Sequence, residues 1–202
     1  MKSKPITDTP ARILDVAERL VQVQGFNAFS YADIAEAVGI RKASLHHHFP
    51  TKAQLGIALV SRYHRTFSAA LDSIESDTND ALERLNRYVE LYSAVLRRKR
   101  MCLCGMLATD VATLPKGMRD GLARYFSMNE LWLKRVLEHG AKRGTLRFEG
   151  TANGMASFFL SSLEGGMLVA RGSDDPACFT RVARRLLESV TPEAPKRATR
   201  PR

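Results

Sequence analysis

Apolar positions recur along this chain every three to four residues, the spacing of helices that bury one face. Ile13, Leu14, Ala17, Leu20 and Val21 form the first stripe, with Thr9 placed to cap it, Pro10 at its first helical position and Gly25 at its end. Phe26 and Phe29 then suit core positions. Leu55, Leu59, Tyr63, Phe67 and Leu71 predict a long helix over about 52–74, followed by a polar break at 75–79. Leu82, Leu85, Val89, Tyr92 and Leu96 predict another, ending in the cluster Arg97-Arg98-Lys99-Arg100, where positive charge complements the helix dipole. A short apolar helix over 101–112 is closed by Pro115. Met118, Leu122, Tyr125, Phe126, Trp132, Val136 and Leu137 outline a long helix to about Arg143, its end loosened by Gly140 and Gly144. Met155, Phe158, Phe159, Ser162, Gly166 and Val169 are placed on one side of a helix over 153–171, and Phe179, Val182, Leu186 and Val190 on a last one. No stretch has the alternation of a strand and no repeat is present, so the fold class predicted is all-α.

Between the first and the long helix lies SYADIAEAVGIRKASLHHHFPTK, Ser30–Lys52, which reads as two short helices across a tight turn. Ser30 can cap the first, with Asp33 as a shorter stand-in for the Glu of a capping box. Ile34, Ala35 and Val38 share its inner face, and Gly39 suits the left-handed position past its end. The second covers about 42–48, with Leu45 and Phe49 facing in; Pro50 breaks it and Thr51 can cap the next helix. A plain solvated hairpin would look similar, but this is also the helix-turn-helix pattern, whose second helix enters the DNA major groove. Its outward residues suit the latter without deciding between the two. Arg41, Lys42, Ser44, His46, His47 and Lys52 are all donors, and no acidic residue lies between Glu36 and Asp72 to repel phosphate.

Charge supports an anionic partner without locating it. The 202 residues carry a formal net charge of +10, yet residues 1–52 hold seven Lys/Arg against five acidic residues. Much of the excess lies in Arg97–Arg100, in 119–147 and in the Pro-rich tail. Three cysteines, Cys102, Cys104 and Cys178, argue against a disulfide framework, and neither they nor His46-His47-His48 have metal-ligand spacing. No metal or cofactor is expected. No run of about 18 apolar residues occurs, so no membrane span is expected. The opening MKSKPITDTP lacks the apolar stretch of a secretory signal, so a cytoplasmic location is expected.

Gly39-Ile40-Arg41-Lys42-Ala43-Ser44-Leu45-His46-His47-His48-Phe49-Pro50-Thr51-Lys52 resembles the signature of the TetR family of bacterial transcriptional repressors. That signature runs Gly, Val or Ile, a small polar residue, a basic one, Gly or Ala, Thr or Ser, an aliphatic, Tyr, two variable residues, Phe, and Lys shortly after. His46 replaces the usual Tyr, and Arg41 stands where Ser is frequent. The resemblance implies a three-helix DNA-binding domain at 1–52 and a six-helix ligand-binding and dimerisation body at 53–190, while the Pro-rich, basic composition of 191–202 predicts a disordered tail. It implies a homodimer on pseudo-palindromic double-stranded operator DNA. Ser30, Tyr31, Ser44, His46 and Lys52 would lie on phosphate, and Arg41, Lys42, Ala43 and His47 at base edges or their rims. His46 would donate with a shorter reach than Tyr and with a pH-dependent charge.

The body implies an input. The family takes a small ligand among its body helices, and Met101, Met106, Tyr125, Phe126, Trp132, Phe159 and Met167 are of the adaptable apolar types that suit one, although for any single one of them a plain core position is the commoner role. Cys102-Leu103-Cys104-Gly105, after a basic turn, resembles the branch in which a cysteine at the start of the sixth helix reacts with electrophiles or oxidants; nearby cations and a helix N-terminus would favour thiolate there. The inducer class implied is thus a small apolar or electrophilic molecule. Glu164-Gly165-Gly166 resembles the Gly-bearing penultimate helix of the family's dimer contact, with Gly165, Gly166, Val182 and Leu186 as interface candidates. The alternatives are a sequence-nonspecific architectural DNA-binding protein and an enzyme. For an enzyme the sequence offers no Gly-rich phosphate loop or nucleophile motif.

Overall fold

The computed structural model of the chain describes residues 8–192. Among these lie nine α-helices and no strand: α1 Thr9–Gln24, α2 Tyr31–Val38, α3 Lys42–His48, α4 Lys52–Asp77, α5 Ala81–Arg97, α6 Leu103–Thr109, α7 Lys116–Lys142, α8 Ala152–Gly172 and α9 Pro176–Glu188, with a 3-10 turn at Val111–Thr113. The predicted all-helical class and element order hold. No helix among the described residues is long and apolar enough to cross a membrane. The expectations of a basic arm and a disordered tail fall, but for their inner edges, outside the described residues.

Several boundaries move for local reasons. Asp8, not Thr9, caps α1: its Oδ1 accepts from Ala11 N at 3.3 Å, which places Thr9 and Pro10 inside the first turn. α4 continues to Asp77, shrinking the expected break to three residues. Arg84 explains this, because its guanidinium donates to Thr78 O at 2.7 Å and Glu75 O at 3.1 Å and so satisfies carbonyls at the end of α4. α6 is shorter than 101–112, since Cys102 at its N-cap is extended and the chain tightens into the 3-10 turn after Asp110. α9 stops at Glu188; Val190 lies beyond it yet is buried, and its carbonyl accepts from Arg147 N at 2.9 Å.

The chain forms two compact units. The first comprises the chain through Ser73 together with Leu91–Asn129, and the second comprises Ile74–Glu90 and the chain from Glu130 onward. In the first, Ile13, Ala17, Val21, Phe26, Phe29, Ile34, Leu45, Leu55 and Leu59 are buried together with Leu103, Leu107, Met118 and Leu122. α4 is tied to α1 by Arg62, which pairs with Asp15 and Glu18 at 2.7 Å each. Gly56 of α4 lets Met118 of α7 approach: a Cβ there would fall within contact of the Met118 sulfur and 3.0 Å from Phe26 Cε2.

The second unit buries Tyr88 of α5 against Trp132 of α7, stacked at 5.3 Å, with Phe159 of α8 edge-on to Tyr88 at 6.4 Å. α8 and α9 pack on one another, and Gly166 lies in that contact. Its Cβ would stand 3.3 Å from Val182 Cγ1 and 3.5 Å from Phe179 Cδ2. The sequence pattern places Phe158 and Phe159 on one side of α8, but they diverge. Phe159, Gly166, Met167 and Ala170 face inward, whereas Phe158 and Val169 are exposed. Gly166→Trp is therefore expected to destabilise the subunit by at least about 1–3 kcal/mol through overpacking. Urea denaturation checks this, and an unchanged midpoint would show that α8 and α9 part freely there.

Candidate nucleic-acid interface

The interface is built from the turn outward. Ser30 closes a full capping box: its Oγ accepts from Ala32 N at 3.2 Å and Asp33 N at 3.4 Å, while Asp33 Oδ2 accepts from Ser30 N at 2.6 Å. Those bonds, led by the one from the Ser30 backbone, hold the Asp33 carboxyl below its ordinary range. At the other end of α2, Gly39 adopts the left-handed conformation, φ 74° and ψ 40°. Gly39 N then donates to Glu36 O at 3.1 Å and Ile40 N to Ala35 O at 3.0 Å, a Schellman ending that a Cβ at Gly39 would strain. Arg12 of α1 adds a guanidinium bond to Val38 O at 2.6 Å. The turn before α3 is therefore fixed by both its own backbone and α1.

α3 buries Leu45 and leaves Arg41, Lys42, Ala43, His46 and His47 exposed, with Ser44 half-buried. Ser30 is exposed as well. The structure thus brings eight of the nine candidates onto exposed or half-buried positions, Ser44 and Lys52 being the half-buried ones. Tyr31 and Lys52 are engaged internally. Tyr31 is 7% exposed, and its hydroxyl donates to Phe49 O at 2.8 Å. Burial pushes its phenol up to about 12. Lys52 Nζ donates to Phe29 O and lies 4.3 Å from the Phe29 ring centroid and 4.9 Å from that of Phe26. Burial lowers the Lys52 pKa, and Asp33 and Asp110 act against that. An ammonium has three donors, so Lys52 can still offer a phosphate what Phe29 does not use. Thr51 caps α4 as expected, its Oγ1 accepting from Gln54 N at 3.1 Å.

Sequence reasoning missed how α6 holds this head. Met101 N donates to Gln22 O at 3.1 Å, just before α6. Just after it, Asp110 Oδ2 accepts from Phe26 N at 3.2 Å, and Asn27 Nδ2 donates to Thr113 Oγ1 at 2.9 Å. The segment from α1 to α2 is thus bonded on both sides of α6. Partners so far apart in sequence, 84 and 86 residues for the last two, leave no local spacing signal.

The candidate ligand residues divide between the units. In the first, Cys102 is 2% exposed, with its sulfur 3.8 Å from the hydroxyls of Tyr63 and Tyr125. Tyr125 is fully buried; that burial, with Cys102 beside it, raises its phenol well above the ordinary range. Phe67 and Phe126 close the aromatic group, 5.3 and 5.5 Å from Tyr125. Met101 is buried and Met106 half-buried in the same unit. Trp132, Phe159 and Met167 are buried in the second. Of the interface candidates, Gly166 and Leu186 are buried within the subunit, Val182 meets Gly166, and Gly165 has open space around it.

A capped α2, a Schellman turn and a short α3 with a cationic outer face define a helix-turn-helix DNA-binding protein. The family model for bacterial regulatory proteins of the tetR family matches residues 13–59, and that for the tetracyclin repressor-like C-terminal domain matches residues 81–186. The chain belongs to the TetR family and is a transcriptional regulator of that family. A TetR-family regulator from Agrobacterium tumefaciens is 36% identical, with a TM-score of 0.88 over 91% of this chain and 98% of that one. One from Legionella pneumophila is 32% identical, with a TM-score of 0.84 over 93% and 100%. The HTH-type transcriptional repressor NemR of Escherichia coli is 25% identical over 149 residues, 71% of this chain and 74% of that protein.

Proposed function

We propose that the chain is a repressor in the cytoplasm that binds a pseudo-palindromic operator as a homodimer and is released by a small apolar or electrophilic inducer. The observation that carries this reading is the bonding of the α1–α2 segment to both sides of α6. A change at Cys102 or the aromatic group around it would move α6, and the head is tied to the segments flanking α6 by one backbone bond and two side-chain bonds. Coupling of that kind needs only a difference in inducer affinity between the bound and released forms. Arg41, Lys42, Ala43 and His47 would face base edges; Ser30, Ser44 and the spare donors of Lys52 would face phosphate. Dimerisation would use the exposed face of α8, where Phe158, Gly165 and Val169 align, rather than Gly166 and Leu186.

Selection of bound duplexes from a random pool tests the reading: a palindromic consensus supports it. The excess positive charge outside the head favours the second reading, an architectural DNA-binding protein, and loss of binding to the selected duplex under competition by random DNA would establish that instead. Lys52→Ala is expected to weaken selected and random duplexes alike and to flatten the salt slope by about one unit. Because Lys52 also holds Phe29 O, the variant should melt at a lower temperature. Lys42→Ala should change sequence preference with no change in melting. If Lys42→Ala lowers affinity equally on every sequence, Lys42 does not read a base.

A further inference from the structure

Resting on the DNA-binding reading, we propose that His46 bonds operator phosphate only as the imidazolium, so that binding takes up a proton at this residue. His46 lies on the exposed side of α3, and its Nδ1 is 3.2 Å from Pro50 O. A carbonyl oxygen can only accept, so this bond requires the proton on Nδ1. A neutral imidazole has one proton to place. Nε2 is then a bare lone pair, which repels a phosphate oxygen and has nothing to donate to it. A second proton turns Nε2 into a charged donor.

The surroundings hold the ring in this arrangement. The Tyr31 ring of α2 lies 4.8 Å from it, tilted by 52°, and the Tyr31 hydroxyl is committed to Phe49 O. Burial keeps that phenol protonated at every pH of interest, so Tyr31 does not titrate alongside His46. On α2, Asp33 is held by Ser30 N, and on α4 the Lys52 ammonium is held at Phe29 O. The remaining charges on α3 are the cations Arg41 and Lys42 and the neighbouring imidazoles His47 and His48, whose rings lie 5.4 Å apart. An arriving phosphate favours a positive charge on His46. Protonation is therefore coupled to DNA contact.

The test uses the full chain and two duplexes of equal length, one enriched by selection and one random, with anisotropy measured from pH 5.5 to 8.0 at constant ionic strength. Between pH 7.5 and 5.5 affinity should rise, by at most about tenfold per pH unit per subunit, the limit for uptake of one proton. His46→Gln keeps a side-chain donor at all pH values and should lose this dependence, while His47→Gln and His48→Gln should keep it. Imidazole nitrogen shifts in the free protein should show Nδ1–H at His46. A neutral ring protonated on Nε2 overturns the proposal without reference to DNA. So does a pH profile that His46→Gln leaves intact. A pH-independent wild type whose base preference changes in His46→Gln also overturns it, and assigns Nε2 as acceptor for an exocyclic base amine. Binding that ignores pH sinks this proposal alone. Failure to bind either duplex at any pH sinks the DNA-binding reading with it.

Discussion

Phe158→Asp combined with Val169→Asp is expected to leave a folded monomer that binds its operator about 10²–10⁴-fold more weakly, because the second half-site contact loses its tether. Phe158 is 54% and Val169 57% exposed, so neither substitution opens a cavity. Eleven residues apart, they fall within about 20° of each other on a helix of 3.6 residues per turn. Gly165 lies on the same face with nothing within 4 Å of its would-be Cβ, which leaves room for another helix to approach. An exposed apolar strip rimmed by polar residues marks an association surface more often than bare solvent. Two carboxylates facing two more across a dimer axis would repel at short range and lose their hydration. Light scattering reads the mass, and thermal melts confirm the fold. If the double variant stays dimeric at micromolar concentration, α8 is not the interface; if wild type is itself monomeric, the operator model of paired half-sites fails.

The helix-turn-helix was legible because its determinants are local. Ser30, Asp33, Gly39 and Thr51 act within three or four residues of themselves, and each takes the predicted role. The family resemblance puts Tyr31 and Lys52 on phosphate, but their polar ends are engaged by Phe49 O and Phe29 O. Backbone acceptors carry no side-chain signature, so sequence alone cannot reveal such competition. α8 was hard for another reason. Apolar residues cover both its buried and its exposed faces, so periodicity identifies a helix without saying which stripe turns inward. Phe159 and Phe158 are chemically alike, and only packing against Tyr88 distinguishes them. The cysteines show the same limit. Proximity to Arg97–Arg100 suggests an open, activated thiol at Cys102, yet tertiary packing encloses it.

An alkylating maleimide is expected to modify Cys178 first, because it is half-exposed whereas Cys102 and Cys104 are buried. That early adduct should leave operator binding unchanged. Cys102 should react later, at a rate set by opening of the unit rather than by thiol chemistry. Its adduct should then release the DNA. The sulfur lies between Tyr63 of α4 and Tyr125 of α7, at the N-cap of α6, so added bulk cannot be accepted without moving one of these helices. Overpacking of this kind typically costs about 1–3 kcal/mol. Displacing α6 would relieve it, and that displacement would pull on Gln22 through Met101 and on Phe26 through Asp110. If the free form tolerates the shift and the bound form does not, a difference of about 1.4 kcal/mol is a tenfold loss of affinity. Mass spectrometry of each cysteine, run in parallel with anisotropy, gives the order of events. Release that tracks Cys102 modification and disappears in Cys102→Ser supports the α6 route. Release that tracks Cys178, or that Cys102→Ser leaves untouched, makes Cys102 a core residue and directs the search for the input to a reversible ligand.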